Sequence, residues 1–348
     1  MRIAQVAPLF ESVPPQRYGG TERVVSYLTE ELVRRGHDVT LFASGDSCTT
    51  ATLVPVVERA TRLDASTYDM CSADAVRQLD MVLARAGDFD VIHYHVDYLA
   101  FPFTHMIATP SVHTLHGRLD LPHLRPLYRH FTDVPLVSIS DAQRRPLDDL
   151  GVHWAGTVYH GQPLARYPFS AEHQGYLAFL GRCSPEKQLD VAIEIARRAG
   201  MPLKIAAKVD HKDRDYFDRV IAPQLDDPLV EFMGEIGDDD KMAFLAGAQA
   251  LLFPIDWPEP FGLVMMEAMA CGTPVVARPC GAVPEVIVHG RTGFVGDALV
   301  ELVEAVKRLD EIDRADCRRH VEARFSVAHM TDGYEAIYRR LGARRRAT

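Results

Sequence analysis

Residues Pro254 to Gly281 read PIDWPEPFGLVMMEAMACGTPVVARPCG, and the fold follows from how this run divides. It completes an apolar strand, AQALLFPI (Ala248 to Ile255), crosses a Pro-rich loop, enters a short helix, and reaches a second apolar strand, PVVARP (Pro274 to Pro279). Strand, helix and strand in so few residues make the βαβ unit of a parallel sheet. Pro258 and Pro260 keep Glu259 out of the helix, which is expected to start near Phe261-Gly262 and to end at Cys271-Gly272. The helix is apolar nearly all round and should be buried. Glu267 inside it therefore needs a partner or a ligand, because a lone buried carboxylate is costly. Pairing with an Arg is the structural alternative.

The same alternation extends outward through the chain. Strands are expected at Arg2 to Pro8, Asp38 to Ser44, Asp90 to His95, Pro110 to His116 and Pro135 to Ser140, then at Tyr176 to Arg182, Leu203 to Val209 and Val230 to Ile236, with amphipathic stretches of helical length between them. Each half reads as a doubly wound α/β sheet. The segment YHGQPLARYPFSAEHQG (Tyr159 to Gly175) carries Pro and Gly with little periodicity, as a hinge does. The expected division is residues 1–168, residues 169–325, and a C-terminal segment 326–348 whose helix returns to the N-terminal domain.

Composition narrows the function. A net charge of −10 disfavours a nucleic-acid or anionic-membrane surface, because both need a basic face. The six cysteines lack metal-site or disulfide-scaffold spacing, the N-terminus lacks a signal-peptide core, and no apolar run approaches about 18 residues. A cytoplasmic enzyme is the expectation.

In open α/β sheets ligands sit beyond the carboxyl ends of the strands. After the first strand, PLFESVPPQRYGGTERVVSYLTEELVRRGHDV places Gly19 and Gly20 at a helix mouth, with Thr21 as its cap and Gly36 as its end. Free N–H groups there favour an anion; a plain flexible turn is the other reading. The spacing does not match GxGxxG, which argues against a dinucleotide oxidoreductase. In LGRCSPEKQLDVAIEIARRAG, Arg182 ends a strand and Lys187 opens a helix capped by Ser184 and Pro185. Two cations there call for a negative partner, and a diphosphate suits an Arg fork with a Lys point charge; surface solvation is the alternative.

These motifs, with EPFGLVMMEAMACGTPVVARPCGAVPEVIVHGRTGFV, DVIHYH, TLHG and RFSVAHMTDGYEAIYRRL, resemble glycosyltransferase family 4 along nearly the whole chain. The resemblance implies the GT-B fold: two Rossmann-like domains facing across a cleft, closing over a nucleotide diphosphate sugar whose hexose passes to an acceptor hydroxyl with retention of configuration. It implies Glu259 on the donor sugar, with the backbone N–H groups of Phe261, Gly262 and Leu263 nearby, and Glu267 on the ribose. Arg182 and Lys187 would neutralise the diphosphate in place of a metal, Gly20 beside Gly19 would pack against the same phosphates, and His116 would lie near the donor sugar. No cofactor is implied. UDP-glucose is the default donor; the acceptor and the oligomeric state are not read. Where many relatives carry Asn-Gly and a Gly-rich turn, this chain has His160-Gly161 and AAKVDHKD.

Other acidic and imidazole groups receive plainer readings. Asp238, Asp239 and Asp240 read as a helix start rather than a DxD metal site, and Glu285 as a first-turn residue. His93 and His95 share a strand face without visible further metal ligands, and His113 and His116 fall on opposite faces. A sugar-nucleotide epimerase, a glycoside phosphorylase, or a non-catalytic sugar-nucleotide-binding module remain the rival functions.

Overall fold

The structure is a computed structural model describing residues 1–16, 19–61 and 71–347, and it divides into two compact units. The first comprises Met1–Gly161 together with Val327–Thr348; the second is Gln162–Ser326. The chain leaves the first unit earlier than the boundary expected at residue 168. At that point the outgoing and returning strands pair: Gln162 donates its N–H to Phe325 O at 2.8 Å and forms a parallel bridge with Ser326.

The first unit is a seven-stranded parallel sheet of β1 (Arg2–Val6), β2 (Asp38–Ser44), β3 (Thr52–Val57), β4 (Val91–Tyr94), β5 (Ser111–Thr114), β6 (Leu136–Ser138) and β7 (Trp154–Thr157) in the order β3-β2-β1-β4-β5-β6-β7. Its helices are α1 (Gly20–Arg34), α2 (Cys71–Ala84), α3 (Arg125–His130) and α4 (Asp141–Arg144), joined by the last helix of the chain. Alternation along β2 shows why both faces are covered. Leu41 and Ala43 pack with Val25 of α1, whereas Phe42 packs with Leu79 and Val82 of α2. A strand buried on both faces reads as an unbroken apolar run.

The second unit repeats the plan. Its strands β8 (Tyr176–Arg182), β9 (Leu203–Lys208), β10 (Val230–Gly234), β11 (Ala248–Phe253), β12 (Val275–Ala277) and β13 (Gly293–Val295) run parallel in the order β10-β9-β8-β11-β12-β13. Helices α5 (Leu189–Ala199), α6 (Arg214–Tyr216), α7 (Asp238–Gly247), α8 (Leu263–Ala270), α9 (Val283–Val286), α10 (Leu299–Lys307) and α11 (Arg314–Arg324) surround it, and α12 (Val327–Ala347) is the helix that rejoins the first unit. There Gln5 Nε2 donates to Tyr338 Oη at 3.1 Å, and Arg35 binds Asp332 at 2.7 Å.

In both sheets the strand order reverses direction at the centre, between β1 and β4 and between β8 and β11. Loops leaving the two central strands diverge there and open a crevice at their carboxyl ends, which is where such sheets bind ligands. Every candidate loop from the sequence follows one of these strands or its neighbour.

Candidate active site

In the second unit the loops after β8 and β11 meet. Arg182 is the last residue of β8 and pairs with Glu186 and, through Nε, with Asp213 Oδ2 at 3.3 Å. Burial pushes the Asp213 carboxyl up, against the pull of the Arg182 charge. The expected helix start is corrected here. Pro185–Lys187 form a single 3-10 turn, Gln188 adopts φ +55°, and α5 begins only at Leu189. Pro185, with no N–H to lose, suits the first position of such a turn, and the left-handed Gln188 interrupts the helix before it can include Lys187. The turn aims Lys187 at the neighbouring loop, where its Nζ lies 2.5 Å from Glu259 Oε2. The negative partners that two cations call for are thus supplied by Glu186, Asp213 and Glu259.

Glu259 is held by backbone rather than by its own helix. Ala282 N–H donates to Glu259 O at 2.9 Å, and Asp256 N–H donates to Glu186 O at 3.0 Å. Gly281, at φ +58°, allows that approach: a Cβ there would lie 2.2 Å from Glu259 O and 2.4 Å from Glu259 N. Sequence reasoning passed over Gly281, whose only signal was its place after a strand and before Ala-Val-Pro-Glu. Gly262, at φ +85°, caps α8 without a side-chain bond; L-residues other than Gly rarely tolerate that conformation. The Phe261 ring packs edge-on against Phe325 with centroids 5.9 Å apart and is buried. Leu263 is the first residue of α8, where helical N–H groups lack intrahelical acceptors.

Glu267 is buried in α8, and Oε1 meets Lys241 Nζ at 2.7 Å. The structural partner is therefore a Lys of α7, not the Arg considered from sequence. Asp238 opens α7 and pairs with Lys241 at 3.3 Å, and Asp239 and Asp240 follow in the same first turn. Glu285 lies in the first turn of α9.

In the first unit α1 starts at Gly20 with Gly19 as its cap and no side-chain cap bond. Thr21 thus lies inside the helix and does not cap it. Gly19 is needed for room, since a Cβ there would lie 2.7 Å from Pro15 Cβ. Beyond β5, the His116 ring stacks on His160 with centroids 5.3 Å apart. His113 is on the other side, stacked on Tyr94 and bonded to Thr104 at 2.9 Å.

His116 ends a directed hydrogen-bond chain. Gln5 donates to Tyr338 through Nε2, so its Oε1 accepts from His95 Nε2 at 2.8 Å. His95 Nδ1 is then a lone pair and accepts from His116 Nε2–H at 2.9 Å. His116 Nδ1 is left as a bare lone pair, out of solvent and without a hydrogen-bond partner. His93 is committed in the same way, to Tyr338 at 2.6 Å and Thr114 at 2.7 Å. Burial pushes the His116 imidazole down to about 3 and holds His93, His95 and His160 well below the ordinary value. These rings are neutral hydrogen-bonding groups: His95 and His116 bond each other, His95 also bonds Gln5, and His93 bonds Tyr338 and Thr114.

The model described as Glycosyltransferase Family 4 matches residues 18–164, and that described as Glycosyl transferases group 1 matches residues 166–322. The chain belongs to glycosyltransferase family 4. The D-inositol 3-phosphate glycosyltransferase of Mycolicibacterium smegmatis is 28% identical, over 92% of this chain and 86% of its own. AviGT4, a glycosyltransferase involved in avilamycin A biosynthesis, matches with TM-score 0.74 at 25% identity over 98% of each chain. Anabaena HepE in complex with UDP-glucose matches with TM-score 0.73 at 18% identity, over 99% of this chain and 100% of its own.

The fold of this family 4 glycosyltransferase is GT-B, two Rossmann-like parallel-sheet domains. Within its second domain the structure brings Arg182, Lys187, Glu259 and the start of α8 to one sheet crevice, with Glu267 further along the same helix. Within its first domain Gly19 and Gly20 follow β1 and His116 follows β5. Among the described residues no helix is long and apolar enough to cross a membrane.

Proposed function

We propose that this glycosyltransferase moves a hexose from a nucleotide diphosphate sugar to an acceptor hydroxyl with retention of configuration and without a metal. One observation carries the reading: Lys187 and Glu259 lie side by side at the carboxyl ends of β8 and β11, at the point where the strand order of the second sheet reverses. A cation suited to phosphate and a carboxylate suited to sugar hydroxyls stand together where the fold exposes a ligand. In this reading Arg182 and Lys187 neutralise the diphosphate as it leaves. Glu259 and the backbone N–H groups of Phe261, Gly262 and Leu263 hold the sugar, and Glu267 accepts from the ribose. In the first domain Gly19 and Gly20 present the N-terminus of α1 to phosphate, and His116 lies beside the sugar.

The acceptor oxygen bonds to the anomeric carbon as the carbon–oxygen bond to phosphate breaks. Its proton passes to the departing phosphate, so no protein nucleophile is required. Preorganised positive charge at the developing phosphate anion is the main source of rate. The UDP-glucose bound by HepE supports UDP-glucose as the first donor to try, and the M. smegmatis relative supports phosphorylated polyols among acceptors.

Replacing Lys187 or Glu259 by Ala is expected to lower donor turnover by a factor of about 10²–10³. Chromatographic separation of glycosylated acceptor from sugar phosphate tests the reaction type, and intact turnover in either variant would remove both residues from the site.

A further inference from the structure

Lys187 and Glu259 are assigned to different parts of one ligand, yet here they neutralise each other. The pair is 2.5 Å long, and its side chains are only 16% and 12% exposed. The ammonium also lies 4.7 Å above the Trp257 ring and 5.6 Å from the centre of Phe253, within the range where an aromatic face attracts a cation. The Glu259 backbone is held in place: Ala282 N–H donates to its carbonyl, Gly281 lies against it without room for a Cβ, and Asp256 N–H donates to Glu186 O. A ligand that takes Lys187 therefore leaves the Glu259 backbone at this loop, with a carboxylate that is only 12% exposed.

We propose that this pair discriminates the intact nucleotide-sugar from the free nucleoside diphosphate, an inference that rests on the donor-site reading above. Free diphosphate draws Lys187 to itself and strips Glu259 of its cation. A largely buried carboxylate is then left unpaired beside two phosphate charges, which is the costly case for a buried ion pair. The nucleotide-sugar draws Lys187 in the same way but brings sugar hydroxyls that donate to Glu259, so every charged group keeps a partner. The diphosphate left after transfer forfeits those hydroxyls, and the returning Lys187–Glu259 pair competes with it for the site. Glu259 thus favours substrate over product, and Trp257 and Phe253 hold the ammonium in reach of both partners.

The test is calorimetric titration of the full-length protein with the uridine, adenosine and guanosine diphosphates and with their glucose esters. In the unaltered protein the ester of the preferred base is expected to bind more tightly than its diphosphate. In Glu259→Gln, which cannot hold Lys187 as an ion pair, the free diphosphate is expected to tighten about tenfold while the ester does not, so the preference collapses or inverts. A diphosphate affinity that is unchanged or weaker in Glu259→Gln overturns this inference and leaves the donor-site reading standing. Failure of all six nucleotides to bind the unaltered protein overturns both.

A second measurement guards against a variant that is merely misfolded. The chain has two Trp residues, so Trp154→Phe leaves Trp257 as the sole indole. Its emission is expected to change when diphosphate lifts Lys187 from the ring. No change on a binding event confirmed by heat would overturn the arrangement.

Discussion

At the scale of single residues, the buried histidines govern the pH response. His93, His95, His113, His116 and His160 are all depressed by burial, with His113 and His116 brought to about 3. In the unfolded chain each titrates near 6.5. Below that pH the unfolded chain binds protons that the folded rings refuse. The stabilisation they permit is thus complete above about pH 6.5 and is lost as pH falls toward 3. Each such ring contributes up to about 1.4 kcal/mol per pH unit in that window. The urea midpoint is expected to fall between pH 7 and pH 5, above the range where ordinary carboxylates titrate; a level midpoint there would mean that the rings are charged in the fold. Sequence reasoning saw that His93 and His95 share a face and that His113 and His116 do not. It missed Gln5, whose amide orientation sets the direction of the whole chain of bonds, because its partners His95 and Tyr338 are 90 and 333 positions away.

Among elements, legibility followed the length and continuity of the apolar run. Central strands such as β2 and β8 match their expected spans because burial on both faces leaves an uninterrupted apolar run. β3, β7 and β13 were not anticipated, and all three lie at sheet edges. Each is interrupted or short: TLVPVV contains Pro55, WAGT contains Gly156, and GFV has three residues. Pro is tolerated at an edge because no ladder hydrogen bond is lost on the open side. The ends of α8 were readable from the preceding prolines and from Gly272, whereas the join between α7 and α8 was not. That join is the Lys241–Glu267 pair, with side chains 11% and 7% exposed. Lys241→Met leaves Glu267 charged and buried and is expected to cost about 3–5 kcal/mol. Adding Glu267→Leu should recover most of the loss in chemical denaturation; a double variant no more stable than Lys241→Met would show that the pair is not what joins the helices.

For the molecule as a whole, the second unit is one continuous stretch and the first is two. Helix α12 supplies Tyr334, Tyr338, Glu335 and Asp332 to the first unit, where they meet Thr114, His93, His37 and Arg35. Removing residues 327–348 strands several of these buried groups, each worth about 1–3 kcal/mol when unsatisfied. The first unit should then lose hydrogen-exchange protection while Gln162–Ser326 keeps its own; equal loss in both would contradict the division into units.

The bond between Gln5 and Tyr338 spans 333 positions, and this distance matters while the protein is being made. At about 5–20 residues per second, Gln5 emerges from the ribosome tens of seconds before Tyr338 exists. The second unit can finish during that interval, so the part of the polypeptide translated first is the part completed last. Until the final helix emerges, the histidine and glutamine side chains of the first sheet lack their tyrosine partners, and the nascent first unit is the stretch most in need of a chaperone.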